Sequence, residues 1–232
     1  MNHEQKVVVV TGSSHGIGAA FVDAYRERGW RVVGNARTIA KSTDPDYITV
    51  PGDIGDPDIA RKMVNTAVDQ FGRVDTLINN AGIWRPGRIE DISEQTYREV
   101  MRTNLDSVFF ATQAAVPAMK KQGGGHIVQI STSLVEHALQ TVPAVVASLS
   151  KGACVAATRG LAMELAASNI RVNAISLGIV ITPLHPDDLK SFSPLNRNGR
   201  IEDVVRAMNY LEDADYVTGE IHYVDGGRTA GH

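Results

Sequence analysis

Three glycines in the stretch VVVVTGSSHGIGAAF, Gly12, Gly16 and Gly18, stand between a run of valines and a segment that reads as a helix. Residues without a Cβ at this spacing permit a tight turn. Such a turn brings backbone N–H groups, and the positive end of the following helix, against an anion. A glycine turn alone is a weak signal. Here it follows a buried strand and opens a helix inside a βαβ unit, the setting in which it takes the pyrophosphate of a dinucleotide. Other groups able to do chemistry lie further on: Asn104, the hydroxyls of Ser131, Thr132 and Ser133, and Lys151. The seven histidines are dispersed and Cys154 is the single cysteine, so neither a transition-metal site nor a disulfide framework is expected.

The elements that must hold these groups alternate along the whole chain. KVVVV at 6–10 reads as a fully buried strand, and the helix after it ends near Gly29. WRVVG at 30–34 and YITV at 47–50 are the second and third strands. Residues 56–72 form a helix with Pro57 in its first turn and Gly72 closing it, and VDTLIN at 74–79 is the fourth strand. A long helical segment covers 93–122, with Pro117 expected to kink or interrupt it. GGGHIVQIS opens a fifth strand, 148–168 is helical, and IRVNAIS at 170–176 is a sixth strand. A helix near 201–211 and EIHYV at 220–224 complete the series. Strands joined by crossover helices predict a single α/β domain over 1–232 with a doubly wound parallel sheet.

Composition bounds the partners. With 232 residues, 43% apolar and 21% charged, the chain can bury a substantial core. A net charge of −3 and scattered Lys and Arg give no reason to expect binding to nucleic acid or to an anionic membrane. MNHEQKVVVV does not read as a secretory signal, and no apolar run is long enough to span a bilayer. A cytoplasmic protein is expected, and its lone cysteine fits a reducing compartment.

Further motifs carry a resemblance. The glycine turn has the spacing T-G-x-x-x-G-x-G, NNAG stands at 79–82, Asn104 lies in RTNLDSVF, Asn173 in IRVNAIS, and YVDGG ends the chain's last strand. With Lys151 at its interval, the sequence from residue 6 to about 227 resembles the short-chain dehydrogenase/reductase family. The resemblance implies a Rossmann fold of about seven strands and a nicotinamide dinucleotide held by Gly12, Ser14, His15, Gly16, Ile17 and Gly18. It assigns adenine contacts to Asp53 and Ile54, the ribose side to Asn80, Ala81 and Gly82, and the nicotinamide side to Lys151, Gly178 and Thr182. The usual Pro-Gly after the sixth strand is here Leu177-Gly178. After the second strand, the position where NAD enzymes carry a carboxylate is Ala36, and Arg37 follows. A guanidinium suits a 2′-phosphate, so NADP(H) is favoured over NAD(H), the alternative for Arg37 being an ordinary exposed loop arginine.

In that family a tyrosine four residues before the lysine is the acid/base. In AVVASLSK that residue is Ala147, and none of the six tyrosines lies between 98 and 209, so no register recovers it. Asn104 and Lys151 match the remaining machinery, and the carbonyl-polarising serine falls on Thr132, or on Ser131 or Ser133 if the register slips by one. The resemblance implies NAD(P)(H)-dependent interconversion of a small-molecule alcohol and carbonyl. The missing phenol suggests a relay from Lys151 through water held in the space that Ala147 opens, with Thr132 as electrophile. The alternative is a catalytically weak NADP(H)-binding sensor or partner subunit. Glu136 and His137 after the fifth strand could reach the pocket or form an exposed loop pair, and His185 could also supply an acid. Ser148 should point about 100° away from Ala147, and Cys154 reads as a core residue. The segment 132–147 is longer than usual by about two residues, and the short polar segment 184–200 argues against very large apolar substrates. Helices 93–122 and 148–168 resemble those that pair subunits in the family, predicting a homodimer or homotetramer.

Overall fold

A computed structural model describes residues 5–182 and 192–231. The predicted expectation for His185 lies outside the described residues. The first strand shows how the fold is built. In β1 (Val7–Thr11) every residue is buried, and alternate side chains serve opposite faces. Val7 and Val9 pack into one core layer with Met63 and Val64 of α2 (Pro57–Phe71) and Ala111, Ala115 and Met119 of α4 (Ser107–Gln122). Val8 and Val10 pack into the other layer with Phe21 and Tyr25 of α1 (Gly16–Glu27) and Met208 and Leu211 of α6 (Ile201–Asp213). A strand covered on both sides needs a continuous apolar run, which is why four valines in a row could be read as they were.

The remaining strands are β2 (Arg31–Ala36), β3 (Tyr47–Pro51), β4 (Thr76–Asn79), β5 (Gly125–Thr132), β6 (Ile170–Leu177) and β7 (Ile221–Val224). All seven pair in parallel in the order β3-β2-β1-β4-β5-β6-β7. The order reverses between β1 and β4, and this places the crevice beyond their C-terminal ends. Helix α2 has the ends the sequence announced: Asp56 caps it by accepting from the Asp58 N–H, Pro57 opens it, and Gly72 closes it at φ 83°.

The stretch 93–122 departs from expectation. It is α3 (Glu94–Met101), a π-helical turn at Arg102–Asp106, and then α4, which runs unbroken through Pro117. Pro117 is exposed, as is Gln113, whose carbonyl loses its N–H partner, so water can satisfy that group and the helix continues. The irregularity falls instead at the turn containing Asn104. Helix α5 (Val145–Leu165) begins three residues earlier than read, and α3 completes the set of six longer helices among the described residues.

Candidate functional site

The glycine turn is held by the segment that follows β4. Thr11 Oγ1 accepts from the backbone N–H groups of Asn80 and Ala81 at 3.0 and 2.9 Å. Asn80 Nδ2 in return donates to the carbonyls of Thr11 and Gly12 at 2.9 and 3.1 Å. The two strands at the point of reversal are therefore stitched together directly under the turn. Gly12 has φ 66°, and a Cβ there would stand 2.9 Å from Ala81 Cα. A Cβ on Gly18 would overlap the Gly12 carbonyl oxygen, so both positions demand glycine.

The N-terminus of α1 is open to an anion. His15, its N-cap residue, makes no side-chain cap, and the first turn holds no acidic residue. The leading N–H groups are thus free of side-chain acceptors, and the helix dipole adds positive potential. Ser14 Oγ and His15 Nδ1 lie 3.1 Å apart beside it. From the other side Thr182 comes over the turn, its Cγ2 3.7 Å from where a Gly16 Cβ would stand. Gly178 is pinned by donating to the Val224 carbonyl at 3.0 Å, and a Cβ on it would meet Asp225 Cα at 2.9 Å. The donor set and the absence of Cβ atoms fit a dinucleotide pyrophosphate.

At the outer end of the crevice Ala36 closes β2, and the Arg37 that follows is exposed, with no hydrogen bond or ion pair among the described residues. Asp53 already has protein partners: Oδ1 accepts from the Gly55 N–H at 3.0 Å and Oδ2 pairs with Arg102 Nε at 3.0 Å. Ile54 packs its side chain into the core beside α2.

Asn104 and Lys151 meet under Gly82. The π-helical turn lets Asn104 clasp the backbone of Ile83, accepting from its N–H at 2.8 Å and donating to its carbonyl at 3.1 Å. Its Nδ2 also donates to Ser150 Oγ at 3.2 Å, a contact that the sequence alone did not suggest. Lys151 Nζ donates to the Ile130 carbonyl at 2.8 Å. A Cβ on Gly82 would stand 3.2 Å from that Nζ and 3.5 Å from Asn104 Oδ1, so the three share one small volume. Burial of the ammonium lowers the Lys151 pKa from the ordinary lysine value. Cys154, buried one turn on, has its thiol pushed up by burial, consistent with a core role.

Of the three candidate hydroxyl residues, Ser131 and Thr132 line the cavity and Thr132 is the more exposed. Ser131 and Ser133 are buried, the first donating to the Lys151 carbonyl at 3.3 Å and the second accepting from Arg228 at 3.3 Å. Thr132 is half-buried at the end of β5, and among the described residues its one side-chain bond is accepted, from the Leu134 N–H at 3.3 Å. Its O–H remains available to donate.

Ala147 corrects the expected open space. It is 4% exposed and packs with Leu134, Leu139, Val142 and Ala144. Leu134, Leu139 and Val142 of the segment after β5 pack on Ala147, so its immediate surroundings are apolar. A water there would lack the polar partners that hold it. Ser148 donates weakly to the Leu134 carbonyl at 3.4 Å, away from the crevice. Glu136 is exposed and hydrogen-bonded to Tyr223, and neither it nor His137 lines the cavity.

That cavity, about 440 Å³, is walled by Ile17 of α1, Ser131 and Thr132 of β5, Trp84, Leu139, Val142, the stretch Leu177–Val180, Thr182 and Arg228. Trp84 and Arg228 were not anticipated. The only signal available for Arg228 was its place directly after the VDGG turn.

A parallel seven-stranded sheet with a glycine turn at its point of reversal defines a Rossmann-type α/β protein. Residues 12–229 match the family model described as enoyl-(acyl carrier protein) reductase. The chain is 36% identical to an uncharacterized oxidoreductase of Methylorubrum extorquens, over 97% of this chain and 98% of that one. It is 32% identical to the 3-oxoacyl-(acyl carrier protein) reductase of Thermotoga maritima, over 98% and 99%. Among solved structures, a blue fluorescent protein from a metagenomic library, in complex with NADPH, superposes with a TM-score of 0.87 at 31% identity, covering 98% of this chain and 99% of that one. Ligand-free aldohexose dehydrogenase of Thermoplasma acidophilum gives 0.90 at 27%, covering 99% and 96%. This chain belongs to the short-chain dehydrogenase/reductase family.

Proposed function

We propose that the chain is an NAD(P)(H)-dependent oxidoreductase, preferring NADP(H), that interconverts an alcohol and a carbonyl on a small molecule. The observation that carries this reading is convergence. Ile17 of α1, Thr182 and Thr132 wall one cavity, and Lys151 Nζ and Asn104 Oδ1 meet under Gly82 outside that wall. Two relatives named as carbonyl reductases or sugar dehydrogenases, and a neighbour solved with NADPH, support the same reaction class.

In this reading the bound nicotinamide supplies or removes the hydride. Gly12, Ser14, His15, Gly16, Ile17 and Gly18 hold the pyrophosphate, with Asp53 and Ile54 at the adenine and Asn80, Ala81 and Gly82 along the ribose. Gly178 and Thr182 orient the nicotinamide end. Thr132 donates its free O–H to the substrate oxygen and polarises the carbonyl. As the carbon is reduced, that oxygen needs one proton. Lys151, whose ammonium burial already makes more acidic, gives it up and is reprotonated from solvent. Nζ gives one of its three N–H groups to the Ile130 carbonyl and lies outside the cavity wall, so the proposed transfer runs through a bridging water, not through the apolar surroundings of Ala147. Asn104 positions Gly82 and Ile83 and does not itself exchange the proton.

Loss of NADPH absorbance against a panel of ketones and aldehydes tests the reading. Lys151→Met is expected to lower kcat/KM by about 10²-fold and to remove the alkaline limb of its pH profile. An unchanged rate and profile would remove Lys151 from the chemistry. A second reading, a dinucleotide-binding sensor or partner subunit with little turnover, draws on the apolar cover over Ala147. Tight NADPH binding with no turnover across the panel would favour it.

A further inference from the structure

Arg228 is a cation where the proposed reaction does not ask for one. It is 7% exposed, yet it lines the same cavity as Thr132. A guanidinium has five N–H donors, and only two bonds are recorded, Nη1 to Ser133 Oγ at 3.3 Å and Nη2 to the His137 carbonyl at 2.8 Å. Its Nε is buried with no hydrogen-bond partner among the described residues. No carboxylate among the described residues neutralises it by direct contact. Asp225, the nearby acid, is committed elsewhere, with Oδ1 accepting from the Gly227 N–H at 2.9 Å and Oδ2 from the Thr229 N–H at 2.9 Å and Oγ1 at 2.7 Å.

Asp225 acts on Arg228 through its charge alone, and a buried guanidinium with unfilled donors and no carboxylate in direct contact among the described residues is costly, a cost relieved when a planar two-oxygen anion arrives. Much of the wall is of the opposite character: beside the hydroxyl residues Ser131, Thr132 and Thr182, Leu134, Leu139, Val142, Trp84 and Val180 offer apolar surface or an aromatic face. Arg228 and Thr132 line the same cavity, so one ligand can meet both an anion site and a carbonyl site.

Resting on the reading of Thr132 as the carbonyl-binding group, we infer that the substrate is an oxo acid or hydroxy acid with an apolar body. Its carboxylate pairs with Arg228 and its carbonyl or hydroxyl oxygen faces Thr132. Arg228 is thus a specificity-determining residue, and neutral ketones are poor ligands.

Isothermal titration of the NADPH-loaded protein with benzoylformate, and separately with methyl benzoylformate, tests this. The pair shares a phenyl group and a ketone and differs in the anion. The acid is expected to bind at least about tenfold more tightly than the ester, roughly the worth of one charge-assisted pair. Arg228→Met should abolish that preference while NADPH affinity stays within about twofold of the parent. Arg228→Lys, which keeps charge without the planar fork, should retain part of the preference and serves if the Met variant does not fold. Equal or tighter binding of the ester, binding of neither compound, or a preference that survives Arg228→Met would overturn the inference. NADPH absorbance read on the same samples separates the two readings. Acid-selective binding without turnover leaves the anion site standing and removes the redox role, whereas turnover without acid preference does the reverse.

Discussion

Arg37 and Ala147 are single residues whose surroundings set opposite expectations. Arg37 stands exposed beyond β2 with no partner among the described residues, free to meet a 2′-phosphate. Arg37→Ala is expected to weaken NADPH binding about tenfold and leave NADH binding nearly unchanged, as read by fluorescence titration of the two cofactors. Equal losses for both would argue that Arg37 merely supports the loop. Ala147 has no such freedom. Leu134, Leu139 and Val142 close over it, so Ala147→Tyr must displace packed side chains, at about 1–3 kcal/mol. The expected result is a Tm lower by about 5 °C with no gain in turnover. A variant of unchanged Tm and higher activity would show that the segment after β5 yields easily. The tyrosine's absence was plain in the sequence, because residue identity suffices for that. Its consequence was not, because whether an alanine leaves a void or a packed contact depends on a loop whose path has no periodic signal.

At the scale of elements, the strands and most helices were readable because burial on both faces forces β-branched runs and caps mark helix ends, as Asp56, Pro57 and Gly72 do for α2. Pro117 misled because backbone propensity yields where the freed carbonyl is wet, and the π-helical turn at 102–106 escaped notice because it arises from the Asn104 clasp on Ile83. A second cluster was equally hidden. At the N-terminal ends of the strands, away from the crevice, buried Glu212 of α6 accepts from Tyr25 of α1 at 2.7 Å and Thr76 of β4 at 2.9 Å, and lies 3.4 Å from His126 Nδ1 of β5. Burial alone would raise the Glu212 pKa, but the donors His126, Tyr25 and Thr76 outweigh it and hold it at about 2. Burial lowers the His126 pKa against the pull of Glu212. Both folded values lie below the unfolded ones, so both contributions are complete at high pH and fade as pH falls. His126 begins to cost stability below the ordinary histidine value of 6.5, and Glu212 does so from 4.5 down toward about 2. The Glu212 contribution is of order 3 kcal/mol. A Tm series from pH 7 to pH 3 should fall steadily, and Glu212→Gln should start lower at pH 7 and fall less below pH 5. Parallel slopes for parent and variant would show that the cluster's charge does not matter to stability.

The whole molecule presents one face that its own core does not explain. Across α4 and α5, Phe109 is 59% exposed, Leu149 53% and Met163 81%, and a groove of about 360 Å³ between the two helices is lined by Val108, Phe109, Val116 and Leu161 among others. Single exposed apolar residues are ordinary, but Phe109 on the rim of an apolar groove, with Leu149 and Met163 exposed further along α5, gives these helices surface of the kind that buries itself against another. The resemblance in sequence predicts that these helices pair subunits, and a two-fold pairing would set this face against its own copy. The small residues Ala157 and Gly160 on α5 would let helices approach closely across it. The expected species is therefore a homodimer or homotetramer, sedimenting at a multiple of the 25.0 kDa chain mass. An aspartate at either of two patch positions, Phe109→Asp or Met163→Asp, places an unpaired charge in the buried centre of such an interface, and each is expected to shift the distribution toward monomer by sedimentation velocity at micromolar concentration. Both residues are exposed in the single chain, so the fold should survive either change with its circular dichroism intact. A monomeric parent, or a parent-like assembly in both variants, would place the contact on another face and leave this patch for a different partner.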